Sequence, residues 1–339
     1  MSGLSILYSV LVEVYRMKLK EFLKYIFSVT NYGETHHKLT FLGIKLKFPR
    51  FEYLKKKNEN PYYYYKKNKL DIKTLPPATG QIREIQLANL ALLDEMDYVC
   101  KCAGLKYWLD GGTLLGAVRH KGFIPWDDDI DTAMLRCDYE KIIDAFKQYS
   151  RNPDIYADYF RSSINPCMYY IKIQHKKCPH LFVDIFPWDN YGKRISTIEQ
   201  LEISKKLKAL RSKLQKTADS SMANEEIKAL INKTMKENIL INEVKDNNKD
   251  CDYVWGLDFN HTWQNWFTHY EVLHPLGEIV FEGKTYPCMN NPDAFLKRLY
   301  GDYMAYPKKI TFGHSSYVKF SEFEQKAIKE MSLKVNNGN

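Results

Sequence analysis

The sequence predicts an α+β fold, a mixed sheet flanked by helices, with a helical insertion and a basic N-terminal arm. Three observations predict it. Apolar residues recur at helical spacing over 81–103, and short apolar strands alternate with helices between 105 and 186. The chain also becomes rich in leucine and lysine after residue 195. With 339 residues, 45% hydrophobic and 27% charged, the composition excludes a wholly disordered protein.

The first element is the N-terminal arm, residues 1–77, which carries the net charge of +9. Residues 1–80 hold 15 Lys/Arg and 6 Asp/Glu, whereas the other 259 residues hold 35 of each. The neutral charge of the rest of the chain disfavours a basic nucleic-acid-binding body, and no nucleic-acid partner is expected. We expect an amphipathic helix over 1–30 and a strand over 41–48. The mixture of lysines and tyrosines suits peripheral contact with an anionic membrane, and a solvated arm is the alternative.

The second element is the core, residues 78–194. A helix over 81–103 should end at Gly104, because glycine suits the position after a helix. A strand over 105–109, a helical turn over 113–118, a strand over 130–135 and a helix over 139–146 follow. A strand pair over 168–174 and 181–186 closes the core.

The third and fourth elements follow from composition. Residues 195–250 predict a basic pair of helices inserted into the core, because leucines alternate there with lysines at helical spacing. Residues 251–330 form an aromatic-rich C-terminal part, whose aromatic residues we expect to pack in the interior.

The seven scattered cysteines do not suggest a disulfide framework, and no stretch is long and apolar enough to span a bilayer. We therefore expect a cytoplasmic protein.

The sequence W-D-D-D-I-D at 126–131 contains the residues most informative about chemistry. Alternate residues of a strand share a face, so Asp129 and Asp131 should point together, and Asp127 by the same parity. Neighbouring carboxylates repel each other, and a divalent cation removes that conflict. Oxygen ligands without a thiolate favour Mg²⁺ or Mn²⁺. The alternative is an acidic surface turn, which the apolar neighbours Ile124 and Ile130 disfavour.

A glycine-rich turn precedes the acids. Gly111, Gly112 and Thr113 lie between a strand and a short helix, where glycines let a phosphate approach the backbone and Thr113 could cap the helix. Arg119 and Lys121 follow, and either could neutralise phosphate charge, although both could be surface cations.

Asp184 lies within the apolar run 181–188 and is the expected third carboxylate. A lone aspartate in a buried strand is unfavourable unless it is paired or binds a metal. It would complete the metal site or act as a base, and an internal salt bridge is the alternative.

Together these residues resemble the LicD family, which includes the fukutin-type proteins. The resemblance rests on W-L-D-G-G-T-L-L-G-A-V-R-H at 108–120, I-P-W-D-D-D-I-D at 124–131 and V-D-I-F-P at 183–187. F-E-G at 281–283 and L-Y-G-D-Y-M at 299–304 support it. It spans roughly residues 85–315.

The resemblance implies a nucleotidyltransferase-like fold, with Asp129, Asp131 and Asp184 as catalytic and metal-binding residues. It implies transfer of phosphocholine, ribitol phosphate or glycerol phosphate from a CDP-linked alcohol donor to a glycan acceptor, which could be lipid-linked in the membrane. Asp302 and His314 lie in the C-terminal family region and are further candidates for the donor or acceptor site. A nucleotidyltransferase and a non-catalytic glycan- or membrane-binding relative are the alternatives.

Overall fold

The computed structural model describes two compact units, residues 1–71 and 72–339. The described residues are 27–32, 36–41, 44–49, 61–161, 169–218, 221–238, 249–256, 267–308, 310 and 313–336, the first three ranges as strand backbone. Among these residues no helix is both long and apolar enough to span a membrane. No cysteine in the described ranges forms a disulfide.

The first unit contains a three-stranded antiparallel sheet, β1 (Phe27–Tyr32), β2 (His36–Phe41) and β3 (Ile44–Pro49), and a helix, α1 (Pro61–Lys67). The expected helix over 1–30 is wrong at its end, where β1 pairs with β2 and Val29 lies opposite Leu39. The expected strand over 41–48 is divided, because Phe41 pairs with Ile44. Residues 1–26, most of the predicted helix, lie outside the described residues.

The second unit is built on a mixed sheet. Its strands are β4 (Trp108–Leu109), β5 (Ile130–Leu135), β6 (Ile155–Arg161), β7 (Tyr169–His175), β8 (Cys178–Asn190), β9 (Asp252–Trp255) and β10 (Phe267–His269). The long strand β8 is central: it pairs parallel with β5 and antiparallel with β7 and β9. The other pairs, β4 with β5, β6 with β7 and β9 with β10, are antiparallel. The predicted mixed sheet flanked by helices is confirmed.

The helices of the second unit are α2 (Gly80–Ala103), α3 (Gly111–His120), α4 (Arg136–Tyr139), α5 (Ile142–Tyr149), α6 (Thr197–Thr217), α7 (Asn224–Asn238), α8 (Tyr270–Leu273), α9 (Pro292–Tyr300) and α10 (Glu322–Asn336). Short 3₁₀ helices lie at Ile72–Thr74 and His314–Tyr317. The predicted helix over 81–103 is confirmed as α2, which packs against α10 and the sheet. Gly104 ends it in the left-handed conformation, with φ 67°.

The inserted helices α6 and α7 bury one apolar face against the sheet. Leu207, Leu210 and Leu214 of α6 and Ile227 and Ile231 of α7 form a core with residues of β7, β9 and β10. The predicted pair of helices is therefore present. The lysines of α6 are exposed, as the amphipathic spacing requires, whereas Arg211 is buried and donates a hydrogen bond to the Gly256 carbonyl at 3.4 Å.

The F-E-G sequence at 281–283 joins a hairpin to the region of the candidate site. The hairpin consists of β11 (Gly277–Phe281) and β12 (Lys284–Cys288). The Glu282 carboxylate accepts two hydrogen bonds from Arg83 of α2, at 3.1 and 2.6 Å, and one from the Phe123 amide at 3.0 Å. The F-E-G sequence therefore has a structural role, because Glu282 joins the hairpin to α2 and to the segment after α3.

Candidate active site

The glycine-rich turn lies directly against Asp131. Gly111 has φ +49°, and a Cβ on it would lie 2.7 Å from Asp131 Oδ2. The Gly112 amide donates a hydrogen bond to the same oxygen at 3.1 Å. These glycines therefore permit a carboxylate of the chain itself to approach the start of α3. Their predicted contact with a donor phosphate stays a prediction.

The helix after this turn begins earlier than predicted, at Gly111, with Asp110 as its N-terminal cap residue. Thr113 is therefore inside α3 and does not cap it. The Thr113 hydroxyl accepts a hydrogen bond from the Asp131 amide at 2.8 Å, which fixes the start of β5 against α3.

The acid-rich turn precedes β5, so Asp127, Asp128 and Asp129 lie in the turn and Asp131 lies on the strand. One carboxylate oxygen from each of Asp127, Asp128 and Asp129 lies within 4.8 Å of the others. Asp128 already has partners: it accepts hydrogen bonds from the His314 amide at 2.7 Å, the Ser315 amide at 2.8 Å and the Ser315 hydroxyl. Asp128 therefore anchors the 313–315 segment, and Asp127 is the neighbour better placed to join Asp129 and Asp131.

Two buried polar side chains of α2 donate hydrogen bonds to the backbone of this turn. Gln86 donates to the Asp127 carbonyl at 2.7 Å, and Asn89 donates to the Asp128 carbonyl at 2.6 Å. Asn89 also accepts from the Phe182 amide of β8 at 2.9 Å. Since buried amide groups without partners are costly, these bonds fix the turn relative to both α2 and β8.

Asp131 and Asp184 are direct neighbours across the sheet. They lie opposite each other in the parallel pairing of β5 with β8. Side chains at paired positions share a face of the sheet, and neighbouring strands lie about 4.8 Å apart. The predicted third carboxylate is therefore brought beside the second, on the face that also receives the start of α3.

Asp184 also forms an internal salt bridge, which was predicted from the sequence as the alternative to metal binding. Lys172, opposite it on β7, lies with its Nζ 2.9 Å from Asp184 Oδ1, and both side chains are 8% exposed. The Tyr170 hydroxyl lies 3.4 Å from Asp184 Oδ2. The salt bridge does not remove Asp184 from the acid cluster, because its carboxylate and that of Asp131 project from adjacent strands.

His314 reaches the cluster from the C-terminal part of the chain. Its Nε2 lies 3.1 Å from Asp129 Oδ2. The hydrogen bond to Asp129 raises the pKa of His314 to about 9, so the ring is a cation at neutral pH. In return, this bond holds the pKa of Asp129 below its usual value although burial opposes it.

The other carboxylates show the conflict expected of crowded like charges. Burial and the adjacent charge of Asp129 raise the pKa of Asp127 well above its usual range. Burial and the charges of Asp129 and Asp184 do the same for Asp131. Burial raises the pKa of Asp184 although Lys172 opposes it. A divalent cation would relieve this repulsion, and an all-oxygen donor set suits Mg²⁺ or Mn²⁺.

Arg119 and Lys121 lie at the C-terminal end of α3. A helix rises about 1.5 Å per residue, so Arg119 lies about 12 Å along α3 from Gly111. Arg119 is buried and donates hydrogen bonds to the Tyr303 carbonyl and the His120 ring, both at 2.9 Å. Lys121 ends α3 with φ 58° and an exposed side chain. Arg119 therefore has a structural role, and contact of Arg119 or Lys121 with a donor phosphate stays a prediction.

The tyrosine of the L-Y-G-D sequence lies near the acids. Packing and the charges of Asp131 and Asp110 raise the pKa of Tyr300, the last residue of α9. Asp302 is exposed in the following turn, where its carbonyl accepts from the Ala305 amide. A role for Asp302 in substrate binding stays a prediction.

Sequence reasoning did not select several residues that form the site. Gln86, Asn89, Lys172 and Tyr300 were not singled out, and Asp127 was noted only by parity. Lys172 could have been selected, because it is a charged residue within the apolar strand sequence Y-Y-I-K-I at 169–173. The indication was weaker for Gln86 and Asn89, which are polar residues on the apolar face of a predicted helix.

Comparison with known proteins gives consistent results. The family described as "LicD/FKTN/FKRP, nucleotidyltransferase domain" matches residues 104–229. The chain is 33% identical to the lipopolysaccharide cholinephosphotransferase LicD of Haemophilus influenzae, over 67% of this chain and 92% of that protein. It is 31% identical to the human ribitol 5-phosphate transferase FKRP, over 26% of this chain and 18% of that protein. It is also 31% identical to the uncharacterized Rickettsia prowazekii protein RP689, over 31% and 40% of the two chains.

Proposed function

The chain belongs to the LicD family of phospho-alcohol transferases, and on that premise we propose that it uses a CDP-activated donor and releases CMP. The transferred group would be phosphocholine, ribitol phosphate or glycerol phosphate, and the acceptor a hydroxyl group of a cell-surface glycan. One observation supports the proposal most strongly. The carboxylate of Asp131 is held by the glycine turn and lies beside Asp184 across two parallel strands.

Asp129, Asp131 and Asp184, with Asp127 beside them, would hold Mg²⁺ or Mn²⁺. When bound, the ion would supply positive charge for a diphosphate in a site that is otherwise acidic. The all-oxygen donor set and the raised pKa values of Asp127 and Asp131 support this assignment.

The chain's own residues would orient the reacting groups. Gln86, Asn89 and Thr113 hold the acid-rich turn and the start of β5, so the carboxylates need little reorganisation when substrates bind. The acceptor oxygen would form a bond to the β-phosphorus as the bond to CMP breaks. The hydroxyl proton would pass to a carboxylate oxygen of the cluster.

A donor screen tests this function. We expect release of CMP from at least one of CDP-choline, CDP-ribitol and CDP-glycerol in the presence of Mg²⁺ and a glycan acceptor, and loss of release with EDTA. Nucleotide products can be resolved by anion-exchange chromatography. Release of pyrophosphate from a nucleoside triphosphate, with no CMP from any CDP-alcohol, would contradict the proposal and indicate a nucleotidyltransferase. A non-catalytic relative is disfavoured, because relatives of the chain are transferases.

We further propose a cytoplasmic location with peripheral contact to an anionic membrane, where a lipid-linked glycan acceptor would be available. The basic arm supports it through its sequence, with Lys55, Lys56 and Lys57 in succession. The helix α6 supports it through its surface: Ile198 and Leu201 are 70% and 57% exposed, and lysines follow them along the exposed face. Exposed apolar residues beside lysines are typical of helices that lie on anionic bilayers.

Neutralising these lysines should weaken vesicle binding. In full-length protein, replacing Lys55, Lys56 and Lys57 by Gln, or Lys205, Lys206 and Lys208 by Gln, should reduce affinity for phosphatidylglycerol vesicles at least threefold. Co-sedimentation in 0.1 M salt measures this affinity. The control replaces Lys101, Lys141 and Lys147, which lie beside Asp97, Asp138 and Asp144, and should leave binding unchanged. Equal binding by all three variants would indicate that both segments are merely solvated.

A further inference from the structure

Lys172 is, after His314, the second basic side chain described at the acid cluster. The proposed function does not explain the aromatic residues around its ammonium group. Its ammonium lies 3.4 Å from the ring centre of Phe182, 4.7 Å from that of Phe160 and 5.4 Å from that of Tyr170. These aromatic rings and Asp184 surround the ammonium, and the side chain is only 8% exposed. An ammonium over aromatic faces is stabilised by cation–π attraction, which is strongest where water is excluded.

The position of Lys172 is fixed by the sheet. Residues 172, 184 and 131 lie in register on β7, β8 and β5, so one cation and two carboxylates form a row across three adjacent strands. His314 differs, because its side chain is 67% exposed on a segment outside the sheet. Its ring nevertheless packs edge-on against Phe182, the ring nearest to the Lys172 ammonium. The two cations thus bracket Phe182, and Lys172 is the buried one.

We propose that Lys172 is a positioning residue that acts through Asp184, setting the charge of the cluster so that it binds a cation moderately and still admits an anionic diphosphate. The inference rests on the proposed function. The Lys172 ammonium and a divalent cation would both act as counter-ions of Asp184. Direct contact of Lys172 with substrate is disfavoured, because the rings of Phe160, Tyr170 and Phe182 lie over its ammonium.

A change in fixed charge has a signature that a loss of packing lacks. Removing one positive charge beside Asp184 should strengthen binding of a cation and weaken binding of an anion. Merely loosening β7 should weaken both. The two directions can be measured without a working transfer assay.

The experiment uses full-length Lys172→Met and Lys172→Gln. Lys172→Met keeps an unbranched side chain without charge, and Lys172→Gln retains an N–H donor for Asp184 if the Met variant does not fold. Mn²⁺ binding is followed by electron paramagnetic resonance, and CDP binding by calorimetry at saturating Mn²⁺. We expect Mn²⁺ to bind at least threefold more tightly and CDP at least fivefold more weakly. Melting temperatures establish that each variant is folded.

The matched control is Lys228→Met. Lys228 also lies over an aromatic ring, 4.8 Å from the ring centre of Tyr159, and donates to the Tyr159 hydroxyl at 3.0 Å. Its replacement should change neither constant. If both ligands weaken together in Lys172→Gln, if neither constant changes, or if both Lys172 variants unfold, Lys172 supports the fold only. Failure of every donor in the transfer assay would instead overturn the proposed function, and the opposite shifts would still be measurable.

Discussion

Asp131→Asn should reduce transfer at least 1,000-fold while leaving the protein folded. The Asp131 carboxylate lies against the glycine turn and beside Asp184, and Thr113 holds the backbone amide of Asp131, so its charge has no substitute within the cluster. Asparagine has the same shape, and its carbonyl oxygen can still accept the Gly112 amide. Initial rates of CMP release with saturating donor measure the effect.

The stability of this variant separates lost chemistry from lost structure. Removing one of several crowded negative charges relieves repulsion, so the melting temperature should be unchanged or higher. The control is Asp144→Asn on α5, an exposed aspartate paired with Lys147 at 2.8 Å, which should retain full activity. Transfer by Asp131→Asn within tenfold of the natural protein would remove Asp131 from the catalytic assignment.

Gly111→Ala should reduce transfer at least 100-fold by displacing the same carboxylate. The added methyl group would lie 2.7 Å from Asp131 Oδ2, closer than a Cβ atom is found to any neighbour, so either the turn or the carboxylate must move. The positive φ of Gly111 adds strain of about 1–2 kcal/mol for any other residue. Rates of CMP release and the free energy of unfolding in urea measure the two effects.

Gly104→Ala is a control that carries the strain without the contact. Gly104 also has a positive φ, +67°, but nothing lies within 4 Å of the position of an added Cβ. It should therefore lose a similar free energy of unfolding, about 1 kcal/mol, and retain its activity. Equal activity of the two variants would show that the contact of Gly111 with Asp131 is unimportant for transfer.

The parts of this fold that follow from local periodicity could be predicted from the sequence. The α2 helix and its glycine end, strand β5, and the strand pair that carries Asp184 all correspond to patterns within about 25 residues. Strand β1 was missed because its sequence, F-S-V-T-N-Y, is short and its pairing with β2 decides its conformation.

The acidic residues of the candidate site could be predicted from the sequence, but the residues that contact them could not. Asp131 and Asp184 are recognisable because a carboxylate in an apolar strand is unfavourable unless it is paired or binds a metal, and Asp129 is recognisable from its place in W-D-D-D-I-D. The contact of Arg119 with the Tyr303 carbonyl could not be predicted, because the two residues are far apart in the sequence. The contacts of Lys172 and His314 depend on strand register and on a distant segment, which no local pattern encodes.

The pairing of Asp131 with Asp184 has a consequence for folding. The two residues come from segments separated by β6, β7 and the helices α4 and α5, and they meet only when two parallel strands align. A shift of β8 by one residue would turn Asp184 to the opposite face and leave Asp131 without its neighbour. Contacts between such distant segments form late, because closing a long loop costs entropy before it gains contacts. During refolding, recovery of Mn²⁺ binding should therefore lag behind recovery of helical circular dichroism, which makes the acid cluster a reporter of correct strand alignment.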